Sequence, residues 1–145
     1  MNILLDTDVV LDLIFARDPF VVEASAIWLA KEQGRCTAFI SPITPINVFY
    51  ITRRSHGLAI ARQAVRDLIA GLKITALTQD ELRAAELLPM TDFEDAVQVT
   101  AALAANCTAI ITRNGADYAN APLSALSPAT FLAQLSTLPD SSKAP

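Results

Sequence analysis

Basic charge is scarce in this sequence: 11 Lys and Arg stand against 15 Asp and Glu, a net charge of −4. That balance excludes a broadly basic surface holding any nucleic acid by counterion release, so nucleic-acid contact has to be local. Cysteine is limited to Cys36 and Cys107, each at the edge of a strand-like run. They read as small buried hydrophobes in a reducing compartment and not as a disulfide framework. A long unbroken hydrophobic run is missing too. The apolar stretch 3–16 is interrupted by Asp6, Asp8 and Asp12 and has no basic lead. Neither a signal peptide nor a membrane span fits it, and a cytoplasmic protein without membrane contact is expected. Histidine occurs once, in Ser55-His56-Gly57, where it reads as a loop residue and not as a base. There is no internal repeat.

What is present is 145 residues with 52% hydrophobic content, enough for one domain with one sizeable core. That domain is expected over residues 1–135, with the aperiodic, Ser- and Pro-containing residues 136–145 as a flexible tail. Asn2-Ile3-Leu4-Leu5 is a short apolar run stopped by Asp6, and residues 8–16 place Val9, Leu13 and Ala16 at helical spacing. A second helix is expected over 19–33, with Val22, Ala26, Leu29 and Ala30 inward and Gly34 as its stop. A strand follows over 37–40. Ser41 and Pro42 then open a helix carrying Ile43, Ile46, Val48 and Tyr50, which reaches Arg53-Arg54. Gly57 breaks it before a helix through Ile69. A strand over 72–77, helices over 78–88 and 92–105, and a strand over 108–111 come next. A short strand over 123–126 and a helix from Pro128 complete the pattern. Strands that alternate with helices and read as continuous apolar runs imply an α/β fold. Its central, mostly parallel sheet is covered on both faces, giving three layers, α/β/α.

In such sheets the ligand site lies beyond the carboxyl ends of the strands. Asp6 follows the first strand, Ser41 the second, and Thr112-Arg113-Asn114 with Asp117 follows the strand over 108–111. Asp95 lies in the first turn of the helix leading into that strand and can face the same edge. Carboxylates brought this close repel and raise one another's pKa, so Asp6, Asp95 and Asp117 make sense together as a divalent-cation site. All-oxygen donors suit Mg²⁺ or Mn²⁺. Each neighbouring acid has a plainer explanation beside the functional one. Asp8 fits a helix start and Asp12 a solvated face, while Thr91-Asp92-Phe93-Glu94 matches a capping box that accounts for Glu94. Asp92 serves either the helix dipole or the site.

The segments Leu4-Leu5-Asp6-Thr7-Asp8-Val9, Phe93-Glu94-Asp95-Ala96-Val97-Gln98 and Ile111-Thr112-Arg113-Asn114 with Asp117-Tyr118 occur in this order over almost the whole chain. In that order and spacing the chain resembles the PIN domain family, and within it the VapC-like toxins of bacterial toxin-antitoxin pairs. The resemblance implies that residues 1–135 are a nuclease domain, that Asp6, Asp95 and Asp117 bind metal, and that Thr112 or Asn114 lends polar support near metal or substrate phosphate. Asp92 is implied as an additional site residue. It also implies hydrolysis of RNA to a 5′-phosphate and a 3′-hydroxyl, a homodimer, and a cognate antitoxin whose peptide lies in the active-site groove. Where the family usually places a glutamate, this sequence has Asn47, in Pro45-Ile46-Asn47-Val48-Phe49-Tyr50. An amide oxygen coordinates a hard cation without contributing charge, so weaker metal binding than with four acids is expected.

The resulting expectation is a Mg²⁺- or Mn²⁺-dependent endoribonuclease acting as a toxin, with Arg53, Arg54 and Arg113 as local guides for the RNA backbone. The pair Arg53-Arg54 equally fits a helix C-terminus complemented by positive charge. Trp28, Phe49 and Tyr50 read as core or dimer contacts. The contrasting expectation is a catalytically weak module that binds RNA or a protein partner, which Asn47 favours. A third reading, a phosphoacceptor domain or phosphatase of similar build, lacks support because no lysine follows the strand over 108–111 in this sequence and Asp95 starts a helix instead of ending a strand.

Overall fold

β1 (Asn2–Leu5) is the middle strand of the protein, and its short run of Ile and Leu is buried on both sides, with Ile3 and Leu4 fully inaccessible. The computed structural model describes residues 1–140. Alternate side chains of β1 feed two separate cores, as the period of two requires. Ile3 and Leu5 join Val9, Val10, Ile27, Ala30, Val48, Leu68 and Phe131 on one face, while Leu4 joins Val99, Ala102, Ile110 and Tyr118 on the other.

β2 (Thr37–Ile40), β3 (Lys73–Ile74), β4 (Ala109–Ile111) and β5 (Ser124–Leu126) complete a five-stranded, wholly parallel sheet in the order β3-β2-β1-β4-β5. Register sets Leu4 beside Phe39 on one side and Ile110 on the other. The order reverses direction at β1, so a crevice opens past the carboxyl ends of β1 and β4. The expected strand over 72–77 shortens to two paired residues, with the Thr75 amide continuing to Ile40 O at 2.9 Å.

α1 (Thr7–Ile14), α2 (Val21–Glu32), α3 (Ile43–His56), α4 (Leu58–Gly71) and α7 (Pro128–Thr137) contribute to the first core, and α6 (Phe93–Ala104) to the second, with α5 (Gln79–Glu86) against α6. The three-layer α/β/α arrangement is therefore as expected. α1 and α3 run side by side. Thr7 Oγ1 lies 3.1 Å from Thr44 Oγ1 at their beginnings, and at their far ends the rings of Phe15, which caps α1, and His56, the last residue of α3, stack 5.0 Å apart. Gly57, at φ +87°, makes the corner between α3 and α4, a conformation that costs a side-chain-bearing residue steric strain. No helix among the described residues is long and apolar enough to cross a membrane.

Several expectations change. α2 turns Ala24, Ile27 and Ala30 inward, whereas Val22 and Leu29, expected inside, are 68% and 56% exposed. α3 buries Thr44, Val48 and Thr52, and Ile46 and Tyr50 face outward. The capping box expected at Thr91 is absent because Asp92, in extended conformation, caps α6 itself by accepting from the Asp95 amide at 3.0 Å. A charged carboxylate at that position also complements the helix dipole, which a Thr hydroxyl does not. A complete capping box stands instead on α5, between Thr78 and Glu81. α7, capped by Ser127, continues two residues into the segment expected as tail, of which residues 141–145 lie outside the described residues.

Candidate active site

Past the crevice, Asp6 ends β1 and caps α1, its Oδ1 accepting from the Thr7 amide at 2.7 Å. Its Oδ2 accepts from Thr112 Oγ1 at 2.9 Å and lies 3.1 Å from the Tyr118 hydroxyl. Thr112 follows β4 and is fully buried, and its hydroxyl oxygen in turn accepts from the Asn114 amide at 3.0 Å. Asp8, in the first turn of α1, accepts from the Val9 amide at 2.6 Å through one oxygen. Through the other it accepts from the Arg113 amide and from Asn114 Nδ2, each at 3.0 Å. Three consecutive residues after β4 thus serve Asp6, which caps α1, and Asp8 in its first turn.

Asp95 reaches the same place from α6, with Oδ1 3.3 Å from the Tyr118 hydroxyl. Tyr118 ends the 3₁₀ turn Gly115–Tyr118 and is buried. A phenol has one proton and here faces two carboxylates, so the pair Asp6 and Asp95 carries more negative charge than its hydrogen bonds neutralise. Burial pushes the Asp95 carboxyl up to about 6, and the charges of Asp92, Asp6 and Asp117 add to that, against the Tyr118 hydrogen bond. Burial and the Asp6 charge push Asp8 up to about 6 as well, opposed by the Arg113 and Val9 amides. The Tyr118 phenol is driven far above its ordinary range by burial and by both acids, so it stays a donor.

The structure therefore brings Asp6 and Asp95 to one hydroxyl, that of Tyr118, and sets Asp8 beside Asp6 through the turn that carries Thr112 and Asn114. Asp117 and Asp92 are exposed and act on Asp95 through their charge. Asn47 is not joined to Asp95: its Nδ2 donates to Glu94 Oε1 at 2.8 Å. Glu94 is thereby tied to α3 and has no capping role. Asp12, expected on a solvated face, is 1% exposed and ion-paired with Arg113. Sequence reasoning gave Tyr118 no role beyond its place beside Asp117, and only its position after an acid near a strand end could have signalled one. Among the described residues no three carboxylate, histidine or cysteine side chains stand gathered as a metal cluster. The donor chemistry nevertheless fits a hard cation, because the carboxylates offer oxygen atoms alone, and burial together with neighbouring negative charge lifts the affinity of Asp8 and Asp95 for protons.

The sequence profile of the PIN domain family matches residues 2–116. Among curated proteins no significant match is found. Solved structures of similar fold include VapBC2 from Rickettsia felis bound to a DNA fragment from their promoter, with TM-score 0.69 and 17% identity over 88% of this chain and 98% of that one. A toxin-antitoxin complex from Klebsiella pneumoniae matches with TM-score 0.65 and 24% identity over 86% of this chain and 96% of the other. VapC20 from Mycobacterium tuberculosis, a sarcin-ricin loop cleaving toxin, matches with TM-score 0.61 and 17% identity over 74% and 86%.

Proposed function

The chain belongs to the PIN domain family, and from that premise we propose that it is a metal-dependent endoribonuclease, the toxin of a toxin-antitoxin pair acting in the cytoplasm. The observation that carries the reading is the convergence of Asp6 and Asp95 on the single proton of Tyr118 at the strand-order reversal. Asp6, Asp95 and Asp117 are the residues that would hold Mg²⁺ or Mn²⁺, with Asp92 adding charge nearby. When bound, such an ion supplies a more acidic water and polarises phosphate oxygens. Thr112 and Asn114 keep Asp6 and Asp8 oriented, and Tyr118 holds Asp6 and Asp95 apart at one hydroxyl. Water then adds to phosphorus as the 3′ oxygen leaves, giving a 5′-phosphate and a 3′-hydroxyl.

RNA reaches the acids along α3, which starts at the sheet edge and carries Arg53 and Arg54 in its last turn. Both arginines are exposed and neither forms an ion pair among the described residues, which supports a role in guiding the backbone. The antitoxin and a second copy of the chain complete the assembly. An apolar cleft lined by Leu13, Ile14, Trp28, Ile60 and Leu68 supports a protein partner. The contrasting reading, a weak or inactive module that binds RNA or protein, is favoured by Asn47, whose amide is committed to Glu94.

The deciding experiment is cleavage of end-labelled structured and unstructured RNA in Mn²⁺, Mg²⁺ or EDTA, with Asp95→Asn in parallel. Products that require metal and vanish in the variant are expected. Folded, antitoxin-free protein that yields none would transfer the assignment to the binding module.

A further inference from the structure

Asp8 and Asp12 lie one helical turn apart on the same face of α1, a like-charge spacing that destabilises an isolated helix. One residue answers both. The backbone amide of Arg113 donates to Asp8 at 3.0 Å, while its guanidinium grips Asp12 through two hydrogen bonds, Nε at 2.6 Å and Nη2 at 3.1 Å. The same guanidinium lies 3.9 Å from the Phe20 ring centroid, and Asp12 is 1% exposed, with Arg17 as a more distant partner at 3.8 Å. A buried carboxylate is tolerated only when it is paired and hydrogen-bonded, so this contact has one preferred geometry.

We infer that Asp12 is a positioning residue: through Arg113 it clamps the turn of residues 112–114 onto α1, and that turn fixes where Asp6 and Asp8 stand. The chain of contacts is continuous. Asp12 orients the Arg113 side chain, Phe20 covers its outer face, the Arg113 and Asn114 donors then meet Asp8, and Thr112 meets Asp6. Arg113 is accordingly not available as an RNA contact, in contrast to Arg53 and Arg54. The clamp takes its catalytic meaning from the proposed nuclease site, but its existence is testable without RNA.

Three variants separate the alternatives. Arg113→Lys keeps the charge but loses the planar fork and the stack. Phe20→Leu removes only the ring, and Asp12→Asn removes the buried charge. In each, amide hydrogen exchange at positions 113 and 114 is expected to quicken about tenfold or more, with Ile110 in β4 unchanged. The Mn²⁺ dissociation constant is expected to rise about tenfold, as for other groups that orient metal ligands. For RNA cleavage kcat falls and KM stays. Unchanged exchange at 113 and 114 would overturn the inference, as would a rise in KM with unaltered Mn²⁺ affinity, which marks a direct RNA contact. Equal quickening at Ile110 would also overturn it, by showing a merely global loss of stability. Should the wild type bind Mn²⁺ but leave RNA intact, the nuclease reading falls, while exchange and metal affinity still decide the clamp.

Discussion

Asn47 donates to Glu94 at 2.8 Å, which sets an amide against a carboxylate where two helices meet beside the acid edge. Replacing Asn47 by Glu would put two like charges at that contact in metal-free protein. The midpoint of thermal unfolding should fall by about 1–2 °C, a small shift because the site is exposed. Added Mn²⁺ should reverse the loss and bind more tightly than in the wild type, measured by calorimetric titration. An Asn47→Glu protein that binds Mn²⁺ no better than the wild type would show that residue 47 lies outside the cation site. Arg113→Ala is the harsher test of a single residue. It leaves Asp12 buried with only Arg17 at 3.8 Å, and a destabilisation of about 3 kcal/mol in denaturant unfolding is expected, near the lower end for a broken buried pair.

The helices differ in how openly their sequences declared their faces. β1, β2 and β4 were legible because a strand buried on both sides needs only an apolar run, and Asp6 marked the end of the first. α2 was misread because its residues are apolar nearly all round: Val22 and Leu29 pointed outward with the same chemistry as Ile27 pointing inward. Asp12 was misread for the opposite reason, since nothing local reveals that an arginine 101 residues away arrives to pair with it. Asp6 and Asp95 were legible from their places at strand and helix ends, whereas the Tyr118 bridge depends on how α6 and the turn after β4 pack together. One contact between elements has a sharp consequence. Gly71, in the last turn of α4, faces the Trp28 ring of α2 so closely that an added methyl would overlap it. The Gly71 carbonyl also accepts from Lys31 Nζ at 2.8 Å. Gly71→Ala should therefore destabilise by about 1–3 kcal/mol through overpacking, although alanine favours a helix more than glycine. A stabilised variant in urea unfolding would contradict that packing.

At the scale of the whole molecule, the two cores enclose both thiols, Cys36 and Cys107, each 5% exposed. Burial pushes the Cys107 thiol up to about 11 and raises that of Cys36. A thiol pKa raised by folding adds stability that is complete below the unfolded value and is lost as pH climbs through the folded one. The protein should consequently weaken between about pH 9 and 11. At pH 8 iodoacetamide should modify neither cysteine in the native state and both in urea, read by mass spectrometry. Rapid native labelling of either would mean that its core opens locally.

Trp28 is the single indole of the chain, held against Gly71 with the Lys31 ammonium 3.8 Å above its ring. It borders the apolar cleft and takes no part in the contacts among Asp6, Asp8, Asp95 and Tyr118. Its fluorescence is therefore a built-in optical reporter with a restricted field of view. Emission should shift when a protein segment fills the cleft and stay constant when an ion settles among the acids, so one spectrum distinguishes the two kinds of occupancy.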